Sequence, residues 1–364
     1  MLLKEVYNQE FLKTLANTAA RFDKKFAVKN FLKIFANKDW AKKELKQRMR
    51  EIVIALDESL SAKNYLEKIT VLKQIAAEIP KNKSSGLALI IFPDFVEVFG
   101  LRHFDESMQA LEFFTQYGSS EFAVRQFIKL DQKRALKFFS NWTKSKNHHV
   151  RRLASEGCRP RLPWGEVSQD FKKDPSAILP ILENLKYDES PYVLKSVANN
   201  LNDISKDHAD LVLNLLKRWK REGVKENLIK HALRTLLKKG DRQALKIIGI
   251  DCNNLSENFA IESFSLQNEV IKISENLVFN FSLQNQALNN KIRLEYIVYF
   301  LKKNGSWSKK NFQITTKNFA EGVFVFEKKH SFRDLSTRKH NAGKHMISLV
   351  VNGVEFQKLQ FDLI

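Results

Sequence analysis

The hydrophobic period of this chain changes near residue 255, and that change sets what it can fold into. Before it, apolar residues recur at three- and four-residue spacing with few glycines, the pattern of amphipathic helices. Residues 41–56 and 209–219 read as two of them. After it, short runs such as Leu277–Leu283, Ile292–Phe300 and Gly322–Phe326 alternate between turn signals, as strands do. Residues 346–356 carry an Asn352-Gly353 pair, which favours a two-residue hairpin. About seven strands in the last ~105 residues suggest a small antiparallel sandwich. The expected division is a helical domain over 1–252 and a β domain over 256–364.

A loose repeat runs through the helical part. Residues 147–154, 190–198 and 225–233 each open with a polar cap followed by an apolar stripe. Val150, Val193 and Leu228 stand 43 and 35 positions apart, the spacing of paired-helix HEAT-like repeats. Stacked pairs build a solenoid, an α-α superhelix with a long concave face. The first interval is longer because it contains Arg159-Pro-Arg-Leu-Pro-Trp164. Its prolines fix φ and stop the helix. Two arginines and an indole are then expected on a stiff, exposed loop. That combination suits a phosphate backbone with a cationic or π-rich group beside it.

The net charge of +20 favours an anionic partner, nucleic acid or an acidic membrane surface, although a general lysine bias would give the same sign. Residues 251–364 hold 15 Lys+Arg and 11 Asp+Glu, so +16 of the +20 falls on residues 1–250. No apolar run approaches the roughly 20 residues needed to cross a bilayer. The opening Met1–Tyr7 lacks a signal-peptide core. Cys158 and Cys252 are the two cysteines, too few for a disulfide framework or a cysteine zinc site. A cytoplasmic, nucleoid-associated protein is expected, with no membrane partner.

The sequence has no glycine-rich phosphate loop, no His-Glu-x-x-His, no cysteine cluster and no serine elbow. Neither metal nor cofactor is therefore expected. In an enzyme of this composition, carboxylates and aromatics must carry the chemistry. Glu121 stands at the expected start of a helix, Glu156 at the end of the helix entering the basic loop, and Asp203 at the end of the next repeat's helix. Equivalent helix ends share one surface of a solenoid, so Glu156 and Asp203 can converge with Trp164 between them. Each has an ordinary alternative. Glu121 could serve a helix dipole, Glu156 could pair with Arg152, Asp203 could cap the next segment, and Trp164 could anchor a core. Lys144, Lys146, His148, Arg152, Arg159 and Arg161 crowd the same region and are read as DNA phosphate contacts. In the β part, Lys302-Lys303, Lys309-Lys310 and Lys328-Lys329 are either duplex contacts or a solvated strand edge.

Phe92–Leu101, Ser120–Arg125 and His149–Gly165, together with Glu44–Arg48 in the N-terminal helices, resemble the AlkC family of DNA alkylation repair glycosylases. The resemblance covers roughly residues 1–240. The β-rich part is similar in architecture to the immunoglobulin-like domain of one AlkC subgroup. The resemblance implies an all-α HEAT-like repeat solenoid followed by a small all-β immunoglobulin-like sandwich. It implies a monofunctional glycosylase, related to AlkD, that removes cationic N-methylated bases such as 3-methyladenine, 3-methylcytosine and 1-methyladenine without fully flipping the nucleotide. By motif, Glu121 falls in Glu-Phe-Ala, Glu156 in Ser-Glu-Gly and Trp164 at the end of Arg-Pro-Arg-Leu-Pro-Trp; Asp203 is assigned by its place in the next repeat. Cys158 and Gln126 depart from the hydroxyl residue and the proline expected there, and the chemistry needs neither. The implied partner is double-stranded DNA carrying alkylated bases, bound by a monomer. The alternatives are a non-enzymatic HEAT-like scaffold for DNA or protein and a peptide-binding solenoid with an immunoglobulin-like adaptor.

Overall fold

A computed structural model of the chain describes residues 2–36, 39–80, 85–250, 259–335 and 339–364. Met1, Cys252 and the expected domain boundary at 252–256 lie outside those residues. The chain divides into two compact units, Met1–Asp207 and His208–Ile364.

The first unit is helical: α1 (Gln9–Phe22), α2 (Val28–Phe31), α3 (Leu45–Ser59), α4 (Tyr65–Glu78), α5 (Ser85–Ala88), α6 (Ile91–Phe99), α7 (Phe104–Phe114), α8 (Val124–Leu130), α9 (Gln132–Trp142), α10 (His148–Glu156), α11 (Gln169–Lys173), α12 (Leu179–Leu185) and α13 (Pro191–Ile204). Their ends are written in the sequence. Asn8, Asn64, Asp131 and Asn147 each accept a hydrogen bond from a first-turn amide, which satisfies donors the helix itself cannot. The helix expected over 41–56 starts only at Leu45, where Glu44 and Gln47 form a capping box; Trp40–Lys42 before it is a 3₁₀ turn. Buried faces follow the helical period, as with Leu12, Leu15, Ala16 and Ala19 of α1. The helices pack at an offset of three, α1 on α4, α4 on α7, α3 on α6 and α10 on α13, which is how repeats stack. Val150 and Val193, the repeat markers, are fully buried in α10 and α13.

The second unit begins with four more helices, α14 (Ala209–Arg221), α15 (Glu226–Ala232), α16 (Arg234–Lys238) and α17 (Arg242–Ile247). Its strands are β1 (Phe259–Leu266), β2 (Val270–Ile271), β3 (Asn276–Asn285), β4 (Asn290–Leu301), β5 (Trp307–Phe319), β6 (Gly322–Ser331), β7 (Gly343–Val351) and β8 (Val354–Leu363). They form a three-stranded sheet, β1-β3-β6, and a five-stranded sheet, β2-β8-β7-β4-β5. Phe279, Phe281, Leu294, Val298, Ile347 and Phe361 fill the space between them. The wholly antiparallel expectation fails at one place. The two-residue β2 pairs parallel to β8, an element too short to leave an alternating pattern in sequence. The Asn352-Gly353 hairpin is present, with φ of +48° and +82°, as a type I′ turn requires. Gly353 is held further by crowding, since a Cβ there would lie 2.7 Å from the Gly240 Cα. Lys309 and Lys310 are exposed on β5, an edge strand, and Lys329 on β6, another edge, where lysines discourage strand pairing between molecules.

Candidate active site

Three elements of the first unit meet at the sequence-predicted acids. Glu121 lies in the turn before α8, Glu156 closes α10, and Asp203 is the penultimate residue of α13. The start of α8 at Val124 means that Glu121 does not sit on a helix N-terminus as expected; it faces Arg152 instead. The acids and cations alternate in a ladder. Arg152 reaches the Glu121 carboxylate, and its Nη2 lies 3.3 Å from Glu156 Oε1. Arg159 donates from Nη1 to Glu156 Oε1 at 2.7 Å and from Nε to Asp203 Oδ2 at 2.8 Å. Lys206 ends the ladder, 3.0 Å from Asp203 Oδ1. Glu156 and Asp203 thus point at one guanidinium, not to opposite sides of the unit.

Hydroxyls complete the carboxylates. Ser119 Oγ donates to Glu121 Oε2 at 2.7 Å, and Ser196 Oγ to Glu156 Oε2 at 2.6 Å. Glu156 is 5% exposed and Asp203 2%. Buried carboxylates of this kind persist because each is paired and hydrogen-bonded. Burial works against the charge of Arg152 and Arg159, but the Glu121 and Glu156 carboxylates around the first, and Glu156 and Asp203 around the second, outweigh it. Both guanidiniums are held above their ordinary range.

This geometry corrects part of the DNA-contact reading. Arg159, expected on an exposed loop, is 5% exposed, and both of its neighbouring carboxylates claim it. It is not a free phosphate contact. Arg152 is half-buried, committed to Glu121 and Glu156, with its guanidinium carbon 5.2 Å from the Tyr192 ring centroid. Arg161 forms a two-pronged pair with Asp207, its Nη2 2.8 Å from Oδ1 and its Nε 3.2 Å from Oδ2. Lys144, Lys146 and His148 are exposed. The loop itself is exposed only at its tip, because Pro160 and Leu162 are buried while Pro163 and Trp164 are not.

Trp164 is not a core anchor. It is 63% exposed and adopts φ of +61°, a left-handed conformation that costs a bulky residue of order 1–3 kcal/mol. Lys46 of α3 donates to its carbonyl at 2.5 Å and sits 4.4 Å from the centroid of Phe122, next to Glu121. The indole borders an apolar groove with Leu2, Leu3 and Leu45.

Sequence reasoning missed two residues. Arg125, buried in α8, donates to the carbonyls of Gly157 and Arg159 at 3.1 and 3.0 Å, fixing the turn that aims Arg159. Burial lowers its pKa from the ordinary guanidinium value. The signal was its place in Glu-Phe-Ala-Val-Arg125. Ser196 gave no signal, since a serine inside an apolar helix pattern reads as neutral. Cys158, where a hydroxyl was expected, is fully buried, and burial pushes its thiol up to about 12. Among the described residues, no group of three or more His, Cys, Asp or Glu could hold a metal ion, and no helix is long and apolar enough to cross a membrane.

A helical repeat region that carries a buried carboxylate–arginine ladder is followed along the chain by a β-sandwich. Residues 108–236 match the family model of the DNA alkylation repair enzyme, and residues 260–364 match that of the C-terminal Ig-like domain of Uncharacterised protein YhaZ. The chain is 43% identical to the Bacillus subtilis (strain 168) Uncharacterized protein YhaZ over 99% of both chains. It superposes with a TM-score of 0.93 and 33% identity, over the whole of both chains, on the Pseudomonas fluorescens alkylpurine DNA glycosylase AlkC bound to DNA containing an abasic site analogue. The chain belongs to the AlkC family of DNA alkylation repair glycosylases, in the subgroup with a C-terminal immunoglobulin-like domain.

Proposed function

We propose that this protein is a monofunctional DNA glycosylase that excises cationic N-methylated bases, of the 3-methyladenine, 3-methylcytosine and 1-methyladenine class, from duplex DNA. The observation that carries the reading is the convergence of Glu156 and Asp203 on one guanidinium, at 2.7 and 2.8 Å, with the exposed, strained Trp164 five residues further along the same loop.

Methylation gives the base a positive charge and makes it a good leaving group. As the N-glycosidic bond breaks, its electron pair goes to the base nitrogen, the base departs neutral, and the positive charge passes to C1′ and the ring oxygen. Glu156 and Asp203 stabilise that charge electrostatically from a site already organised by protein donors. One of them takes a proton from the water that adds to C1′, leaving an abasic site. Glu121 supports Glu156 through their shared Arg152. Trp164 offers its π-face to the cationic base or the sugar, worth roughly 0.5–2 kcal/mol. No lysine is required to form a Schiff base, so no lyase step is expected, and the base need not leave the stack completely. Lys144, Lys146 and His148 are the exposed basic side chains assigned to phosphates, with Arg161 able to join them by leaving Asp207. The helical residues 1–252 act as the DNA-binding and catalytic domain of a monomer.

The ladder also favours a second reading. Each of the three acids already has a cation, as structural caps in a non-enzymatic scaffold would. Incubation with a duplex carrying 3-methyladenine, in the presence of a chelator, separates the two. Abasic sites form if the protein is the glycosylase, and Glu156→Gln loses most excision while keeping DNA affinity. Binding without base release makes it the scaffold.

A further inference from the structure

We propose that Ser196 is a positioning residue for Glu156, and that its hydroxyl sets the lower pH limit of the site. This rests on the role proposed for Glu156. Ser196 projects from α13, the helix of the neighbouring repeat, and is 2% exposed. Its Oγ lies 2.6 Å from Glu156 Oε2, the length of a charge-assisted O–H···O⁻ bond. Behind it, Ser155 Oγ lies 2.6 Å from Ser196 Oγ and is also buried. The Ser196 proton is committed to the carboxylate, so Ser155 donates to Ser196, and each bond in such a chain polarises the next.

The two carboxylate oxygens are served differently. Oε1 faces Arg159 from the turn and Arg152 from its own helix. Oε2 faces the hydroxyl of Ser196. The other ionisable groups around Glu156 are Tyr192 on α13, Cys158 in the turn, Glu121 beyond Arg152 and Asp203 beyond Arg159. The helices α9 and α12 also pack on α10, and their buried residues, such as Phe139 and Leu182, are apolar. No neighbouring side chain can therefore replace Ser196 without moving. Truncating it leaves Oε2 of the buried carboxylate without its donor, which penalises the ionised carboxylate far more than the protonated one.

Removing a donor from a carboxylate raises its pKa, so the group protonates at higher pH and the acid limb of activity moves upward. The expected shift is about one pH unit, a tenfold gain in proton affinity. Two measurements test it. One is the titration midpoint of the Glu156 carboxyl carbon in DNA-free protein, by NMR of ¹³C-labelled glutamate assigned with Glu156→Gln. The other is the pH profile of single-turnover excision. Ser196→Ala moves both upward, and Ser196→Thr, which keeps the hydroxyl, returns both toward the parent. Ser155→Ala leaves the Glu156 contact in place, shifts the midpoint the same way by less, and carries the test if Ser196→Ala does not fold. An unmoved Glu156 midpoint in folded Ser196→Ala, or in Ser155→Ala where that variant carries the test, overturns the proposal. A midpoint that moves while the excision profile stays fixed supports the contact and instead removes Glu156 from the reaction.

Discussion

Arg159→Met separates a structural cation from a DNA contact. In the parent, the Arg159 guanidinium joins Glu156 at 2.7 Å and Asp203 at 2.8 Å, both buried. Methionine fills much of the volume and supplies no donor. Asp203 keeps Lys206, whose side chain is 36% exposed, and Glu156 keeps Arg152 at 3.3 Å, so the loss is partial. Breaking a buried pair by removing one partner costs about 3–5 kcal/mol, and the retained contacts put this case at the lower end, about 3 kcal/mol. At about 2–4 °C per kcal/mol for a domain of this size, the melting temperature falls by roughly 6–12 °C. Thermal and urea unfolding of parent and variant at pH 7 measure the loss. A variant melting within about 2 °C of the parent at pH 7, with weakened DNA binding, would return Arg159 to the phosphate backbone and refute the ladder.

Three more outcomes rest on single side chains. Trp164→Gly is more stable than Trp164→Ala by about 1 kcal/mol, because glycine accepts φ of +61° without the left-handed penalty, and both variants lose excision; equal stabilities would mean the strain is not there. Arg161→Ala changes stability by less than about 1 kcal/mol, since its pair with Asp207 is half-exposed. The same variant weakens binding to damaged and undamaged duplex alike and reduces the salt slope by about 1; unchanged affinity takes Arg161 off the DNA. In a Cys252→Ser background, Cys158 resists thiol reagents at pH 8 until the protein unfolds, because it is fully buried and its thiol is pushed up to about 12; rapid labelling of folded protein would contradict that burial.

Much of the architecture was legible because it rests on period. Val150 and Val193 mark helices that pack on one another, and Asn352-Gly353 marks a turn whose positive φ values only such residues accept easily. The β2 strand was not legible, because two residues cannot show an alternation. The acids could be found from helix ends and motif, but not their partners. Arg159 and Arg161 look alike in sequence, two residues apart on a basic loop. Burial of Pro160 and Leu162 turns the first inward to Glu156 and Asp203 and leaves the second at the rim. That difference is set by packing across the neighbouring repeat, more than forty positions away, and no local pattern carries it. Ser196 was hidden for the same reason, acting through Glu156 on another helix, whereas Arg125 had its motif as a signal but not its partners, the carbonyls of the turn after α10.

The roles proposed for Glu156 and Asp203 are electrostatic, in the service of a nucleotide that becomes positively charged at the sugar. Affinity for two abasic-site duplexes tests it most directly, one carrying a protonated pyrrolidine at the lesion and the other a neutral tetrahydrofuran. The parent is predicted to bind the cationic duplex on the order of tenfold more tightly, about 1.4 kcal/mol, and Glu156→Gln and Asp203→Asn to lose that preference while still binding the neutral one. Equal affinity of the parent for both duplexes, or a preference untouched by either substitution, would rule out these roles for Glu156 and Asp203.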